Sequence, residues 1–220
     1  MLTVLQLDTG FPRIPGDVAA AATYNAPIDV IRIPNATVSK AVHHRPDEMD
    51  ISAFEDAVRS VTEGMIVTSC GFLGYWQDHL ARISNVPIIT SSLCLLPSLL
   101  QKYAPEEIGI ITFNAPTLRS PTYAKLLDGF TGPIIGLNPD MHLRQVIEED
   151  ADSLDHQRAE TELTRHLAPS INSVKALLLE CTNLPPYKAA ILQEFHGQIY
   201  DILTAIEDEM PGQVKEEFTL

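Results

Sequence analysis

Short apolar runs rich in β-branched residues alternate along the chain with stretches whose apolar residues recur every three or four positions. The first pattern predicts buried strands and the second predicts amphipathic helices. The clearest helical stretches are 51–61 and 186–195. The predicted strands are 2–8, 28–33, 64–69, 86–90, 107–113, 133–137, 174–180 and 198–202. This alternation indicates an α/β fold with mainly parallel sheets that are covered on both faces.

The order of these elements repeats once along the chain. Cys70 and Cys181 each end the third strand of one half, and the next strands begin at nearly equal distances after them. The repeat predicts two similar lobes, and the turn-rich stretch 101–107 is the expected crossing between them. The predicted first lobe comprises 1–97 and 203–220, and the predicted second lobe comprises 98–202.

Ligands of open α/β sheets bind at the carboxyl ends of the strands. If the two lobes face each other, this rule puts Cys70 and Cys181 in one cleft. A thiolate and a thiol on opposite sides of a carbon act as base and acid, and they can invert a stereocentre beside a carboxylate. Both cysteines precede predicted helices, so we expect helix N-termini to stabilise the thiolate.

Composition limits the kinds of molecule that this chain is expected to bind. The chain has 220 residues and a formal net charge of −14, with 45% apolar and 20% charged residues. That charge argues against nucleic-acid and anionic-membrane partners but permits a small acidic substrate bound by local donors. Met1 leads directly into a strand-like segment without a signal-peptide pattern, and three unpaired cysteines fit a reducing compartment. We therefore expect a cytoplasmic protein.

No metal or nucleotide motif is present in the sequence. His43 and His44 are adjacent, so on a regular element they point apart, and neither H-x-x-x-H nor C-x-x-C occurs. The phosphate-loop pattern is missing as well. Cys94 has no motif around it and is expected to be a small core residue. We expect no metal ligands.

Four segments together resemble a known family, the cofactor-independent aspartate/glutamate/hydantoin racemase superfamily. "LDTG" is similar to its N-terminal Asp-Ser-Gly segment, "TSCGF" occupies its first-cysteine site, "ECTN" is similar to its Gly-Cys-Thr-His, and "IGIITFNAPT" resembles its threonine-bearing loop. The resemblance covers nearly the whole chain. It implies two flavodoxin-like lobes related by a pseudo-twofold, a cleft between them, and catalysis without pyridoxal phosphate or another cofactor. Homodimers are common in that family.

The resemblance also implies roles for individual residues. Cys70 and Cys181 would be the acid–base pair, and Asp8 would orient a cysteine or bind a substrate amine. For Asp8, capping of the following turn is an equally good interpretation. The residues expected to bind substrate are Thr9, Gly10, Gly71, Phe72, Thr112, Asn114, Thr117, Thr182 and Asn183.

Three departures from the family pattern bear on the substrate. Gly71-Phe72 stands where many amino-acid racemases carry Asn-Thr, Asn183 stands where glutamate racemases often carry histidine, and Glu180 replaces a common glycine. The proton-transfer residues are retained, but glutamate and aspartate are less favoured as substrates.

Three functions therefore stay open at this point. The first is a racemase or epimerase of an amino acid or related α-substituted carboxylate. The second is a decarboxylase or cis–trans isomerase of a small dicarboxylic acid, because relatives on this scaffold carry out both reactions. The third is a non-catalytic protein that captures a small carboxylate.

Overall fold

The computed structural model describes residues 1–219, so Leu220, the last residue of the predicted first lobe, lies outside the described part. The first four strands are β1 (Leu2–Gln6), β2 (Ile28–Arg32), β3 (Met65–Thr68) and β4 (Ile88–Ile89). The next four are β5 (Ile108–Thr112), β6 (Ile134–Gly136), β7 (Ala176–Leu179) and β8 (Gln198–Tyr200). All eight predicted strands are present, and each is shorter than the run that predicted it.

The strands form two four-stranded parallel sheets with equivalent orders, β2-β1-β3-β4 and β6-β5-β7-β8. This arrangement confirms the predicted α/β fold with two similar parallel sheets. The central strands β3, β5 and β7 are buried along their whole length, as parallel strands covered on both faces must be. The edge strand β2 is largely exposed.

Helices cover the faces of both sheets. Within residues 1–219 they are α1 (Val38–Ala41), α2 (Ser52–Ser60), α3 (Gln77–Ile83), α4 (Leu96–Leu99), α5 (Ala115–Leu118), α6 (Ala124–Leu127), α7 (His142–Glu149), α8 (His156–Ile171), α9 (Lys188–Glu194) and α10 (Ile202–Glu209). Short 3₁₀ turns lie at several strand ends. None of these helices is both long and apolar enough to cross a membrane.

Residues of both sheets share one buried apolar cluster. Leu5 and Ile66 of the first sheet belong to the same cluster as Ile110 and Leu177 of the second. Successive side chains of a strand point to opposite faces, so the neighbouring residues of β1 and β3 form a second, smaller cluster. That cluster includes Ile206 of α10, which therefore packs against the first sheet. The lobe boundaries at 97/98 and 202/203 stay a prediction.

Cys94 differs from the prediction, since it is exposed rather than part of the core. It lies on the 3₁₀ turn Ser92–Leu95, where the inward positions are taken by Leu93 and, in the following helix, Leu96. The apolar character of this segment is thus supplied by its leucines. Ser92 faces inward too, and its hydroxyl donates to the carbonyl of Leu179 in the second sheet, 2.8 Å away.

Candidate active site

The ends of β3 and β7 meet at a cleft between the two sheets. Cys70 lies two residues beyond β3, and Cys181 lies two residues beyond β7. Both are buried, and both line this cleft, whose free volume is about 20 Å³, room for about one water molecule. The other lining side chains that matter for its chemistry are those of Arg13, Phe72, Glu180, Thr182 and Asn183. The two predicted cysteines are thus brought together from different sheets.

A direct hydrogen bond and a close backbone contact hold the two strand ends against each other. The Thr182 hydroxyl donates to the Ser69 carbonyl across 2.7 Å. A Cβ atom added at Gly71 would lie 2.3 Å from the backbone carbonyl oxygen of Glu180 and equally close to its side-chain Oε1. Only glycine permits that approach. Gly71 and Thr182, both predicted to bind substrate, therefore have a structural role in joining the lobes as well.

Burial dominates the ionisation of both thiols. It raises the pKa of Cys70 to about 12 with a smaller contribution from Glu180, against the opposing effect of the Phe72 and Leu73 N–H groups and of Arg13. Burial also raises the pKa of Cys181, again reinforced by Glu180. The backbone N–H groups after each cysteine do lower the thiol pKa, in the direction that the sequence led us to expect. The N–H groups are present, but the loss of hydration outweighs them.

Glu180 is a site residue that the sequence analysis noted only as a departure from the family. Its side chain is fully buried, and Oε2 accepts a hydrogen bond from the Thr112 hydroxyl at 2.6 Å. Oε1 is buried with no hydrogen-bond partner among residues 1–219. Burial raises the pKa of Glu180 to about 7, opposed by the Thr112 hydroxyl and the Phe113 N–H. The sequence signal was a carboxylate directly after the apolar run of β7.

Arg13 is the second site residue that the sequence did not reveal. Its side chain is only 10% exposed. Nη1 donates to both carboxylate oxygens of Asp17 at 3.1 and 3.2 Å, and Nη2 donates to the Thr9 hydroxyl at 3.0 Å. Within the described chain the buried Nε has no partner. An arginine in a loop has no distinctive sequence pattern, so only the fold discloses its place in the cleft.

Asn183 extends this polar chain towards Cys181. Its side-chain nitrogen donates to Asp17 at 2.7 Å, and its side-chain oxygen lies 3.9 Å from the Cys181 sulfur, which donates to it. The Asn183 side-chain oxygen is thus an acceptor within reach of the Cys181 thiol. Phe72 forms the opposite wall, packed edge-on against Tyr123 with ring centroids 5.4 Å apart.

Several predicted site residues lie outside the cleft lining. Asp8 accepts hydrogen bonds from Arg32 Nε at 2.7 Å and the Asn35 N–H at 2.8 Å, and these partners, the Asn35 N–H first, lower its pKa. Both bonds direct the carboxylate towards the loop after β2. These bonds stabilise the loop after β2 and not the turn that follows Asp8, so the predicted capping of the following turn is wrong, while the catalytic role stays a prediction.

The remaining predicted residues have local partners. Gly10 donates its N–H to Asp150 at 2.6 Å. The Asn114 side chain accepts from the Thr117 N–H at 3.1 Å and caps α5. Thr9 supports Arg13, and Thr112 supports Glu180, as described above. Contact of these residues with substrate stays a prediction.

Comparison with known proteins gives relatives in sequence and neighbours in fold. No family model matches the chain. The chain is 26% identical over 220 residues to dimethylsulfoniopropionate lyase 7 of Emiliania huxleyi, with 93% of this chain and 64% of the relative covered. It is 24% identical over 227 residues to a dimethylsulfoniopropionate lyase of Durusdinium sp. clade D, with 97% and 75% covered. The chain thus spans less than two thirds of the length of the Emiliania relative.

Three solved structures with a similar fold are racemases. Aspartate racemase of Picrophilus torridus superimposes with a TM-score of 0.61 at 15% identity, covering 99% of this chain and 97% of that one. Allantoin racemase of Pseudomonas fluorescens gives 0.59 at 14% identity, covering 100% and 96%. A glutamate racemase of Bacillus anthracis gives 0.57 at 17% identity, covering 97% and 84%. The fold expected from the racemase resemblance is confirmed, while the sequence relatives are lyases.

The pH dependence of stability tests the burial of Glu180. Its folded pKa of about 7 exceeds the ordinary value of 4.5, so folding is favoured at low pH. That stability is lost as the pH rises from 4.5 through 7, by up to about 3 kcal/mol. Glu180→Gln should lack this loss and gain stability relative to wild type at pH 8. Urea unfolding at pH 5 and pH 8 measures it.

Glu63→Gln, at an exposed position, is the matched control and should follow the wild-type pH dependence. An identical pH dependence for Glu180→Gln and wild type would contradict the raised pKa of Glu180.

Proposed function

We propose that this chain is an enzyme that removes the proton α to the carboxylate of a small acid, with Cys70 and Cys181 working on opposite faces of the carbon. The main support is that both thiols line one cleft but come from different sheets. Such a pair can exchange protons with a substrate held between the lobes. The proposed chemistry uses no cofactor.

Arg13 is the proposed anchor for the substrate carboxylate. A guanidinium can bind a carboxylate through two parallel N–H···O bonds, and the edge formed by Nε and Nη2 fits that geometry. Nε is buried without a partner in the described chain, and Nη2 uses one of its two hydrogens on Thr9. Asp17 holds Nη1 and fixes the orientation of the fork. With the carboxylate bound there, the positive charge of Arg13 would also stabilise the negative charge that develops on the substrate as the α-proton leaves.

Racemisation or epimerisation is the simplest outcome. Cys70 as a thiolate would take the α-proton from one face, and the Cys181 thiol would deliver a proton to the other. The Cys181–Asn183 contact favours Cys181 as the thiol. The fold shared with racemases is consistent with this outcome but does not by itself specify the reaction.

Elimination is the second candidate, and the sequence relatives favour it. Both are named as lyases of dimethylsulfoniopropionate, a carboxylate with a sulfonium group. Removal of the proton beside the carboxylate would expel a sulfide from the next carbon and leave an unsaturated acid. Phe72, in place of a polar residue, would give this apolar and cationic group a suitable wall. Decarboxylation or cis–trans isomerisation of a small dicarboxylic acid is a separate alternative, which the racemase-like fold would also support.

Proton exchange in D₂O tests the proposal. We expect wild-type protein to replace the Cα–H of one acid in a panel of L- and D-amino acids, allantoin, maleate and dimethylsulfoniopropionate, as followed by proton NMR. Appearance of the opposite enantiomer identifies a racemase, and release of dimethyl sulfide with acrylate identifies a lyase. Cys70→Ser should abolish either reaction, because the base is lost, and Cys181→Ser should abolish racemisation, because the acid is lost.

Cys94→Ser is the control, since Cys94 is exposed and outside the cleft, and it should retain full activity. Full turnover by both cleft-cysteine variants would exclude a thiol pair. Saturable binding of an acid without exchange would instead indicate a non-catalytic binding protein.

The role of Arg13 makes a separate prediction. Arg13→Lys keeps the charge but loses the two-pronged geometry, so KM should rise about tenfold or more with a smaller change in kcat. Steady-state kinetics on the substrate identified above measures both constants. Arg59→Lys, which alters an exposed arginine paired with Glu55, is the control. Equal KM values for wild type and Arg13→Lys would rule out Arg13 as the anchor.

A further inference from the structure

Glu180 lies beside residues adjacent to both thiols. It precedes Cys181 in the chain, and its Oε1 packs against the backbone of Gly71, the residue after Cys70. The side chain is fully buried and lines the same cleft. A carboxyl group in such a place costs stability, because burial removes its hydration. Nothing in the packing of β7 requires a carboxyl group there, so a chemical role is the better explanation.

The two oxygens of Glu180 are treated differently by the fold. Thr112, at the end of β5, donates its hydroxyl to Oε2 at 2.6 Å and fixes the plane of the carboxyl group. Oε1 has no hydrogen-bond partner among the described residues, although it is buried. A buried oxygen of this kind is expected to have a hydrogen-bond partner. A thiol proton from the cleft is a fitting partner for it.

We propose that Glu180 is the proton acceptor that ionises Cys70, with Oε1 taking the Sγ–H proton. This inference rests on the proposed function of the cleft. Glu180 acts through Cys70 and does not touch the substrate, so it is a positioning residue for the base. Cys70 is its partner because the Cys181 thiol already has the Asn183 oxygen as an acceptor.

The proton balance closes for both outcomes. Glu180 becomes neutral as the Cys70 thiolate forms, and the thiolate then takes the α-proton. In racemisation the Cys181 thiol protonates the opposite face, and Glu180 returns its proton to the Cys181 thiolate. In elimination the sulfide leaves with the electron pair of the C–S bond, and Glu180 releases its proton to solvent. The proton so released matches the one removed from the substrate.

Electrostatics agrees with this assignment. The groups around Glu180 that titrate are Cys70, Cys181 and the Tyr123 hydroxyl, and the charged groups of the cleft are Arg13 and Asp17. Because the pKa of Glu180 is about 7, the carboxyl group can accept a proton near neutral pH. Ionised Glu180 contributes to raising the pKa of Cys70. That contribution disappears once Glu180 itself is protonated, so the transfer removes the charge that opposes the thiolate.

Two readouts on Glu180→Gln test the inference. The first is the rate of iodoacetamide alkylation of Cys70 in a Cys94→Ser/Cys181→Ser background, which needs no substrate. The second is the Cα–H exchange rate as a function of pH. We expect alkylation at pH 8 to become several-fold faster, since a negative charge is lost. With substrate filling the cleft, Glu180 is the proposed acceptor of the thiol proton in place of solvent. We therefore expect Cα–H exchange to become about 100-fold slower in Glu180→Gln, and the fall in its rate below pH 7 to disappear.

Thr112→Val is the second variant, and it keeps the shape of the side chain. It removes a hydrogen bond to the carboxylate, so the pKa of Glu180 should rise and the acidic limb of the exchange profile should move to higher pH. Alkylation and exchange that slow together in Glu180→Gln would indicate a merely structural role and overturn the inference, as would an unchanged pH profile.

If wild-type protein exchanges no acid at all, the proposed function fails. The alkylation rate of Cys70 then tests by itself whether Glu180 and Cys70 are coupled. Faster alkylation of Cys70 in Glu180→Gln would then still support the coupling, and an unchanged rate would overturn it.

Discussion

The site depends on the close contact between the ends of β3 and β7. The Thr182–Ser69 hydrogen bond and the approach of Glu180 to Gly71 bring the ends of two strands of different sheets together. One buried apolar cluster includes residues of both sheets and stabilises this contact. Since each cysteine follows its strand by two residues, this one contact determines the position of both thiols.

The same contact explains the electrostatics of the cleft. Close packing excludes water, and the loss of hydration raises the pKa of Cys70, Cys181 and Glu180. A dry cleft suits carbanion chemistry, because aimed donors act more strongly there than in water. It also makes a thiolate costly to form. The cleft therefore needs a group that can accept the thiol proton without leaving the dry environment.

Sequence patterns predicted the sheets well for a physical reason. Parallel strands buried on both faces must be continuous apolar runs, and such runs stand out in a sequence with 20% charged residues. The strand ends then located Cys70 and Cys181. Both cysteines stand in segments that also resemble racemase motifs, so two independent lines of reasoning agreed on them.

The remaining features depend on three-dimensional context. Arg13 reaches the cleft because the loop after β1 folds back onto it, and no local pattern encodes that path. Asp8 turns to Arg32 because Gln6 and Arg32 pair in register at the end of β1 and β2, which brings the Arg32 guanidinium beside it. The thiol pKa values follow from burial, which overrides the helix N-termini that the sequence suggested. Cys94 is exposed because its leucine neighbours fill the inward positions.

The central claim is that one substrate is held between two thiols from different lobes. Reaction of the Cys94→Ser protein with dibromobimane, a short bifunctional thiol reagent, tests this claim most directly. We predict a single fluorescent cross-link between Cys70 and Cys181, identified by peptide mass, that is suppressed by the acid on which the protein acts. Separate single modifications of the two cysteines with no cross-link would contradict the account.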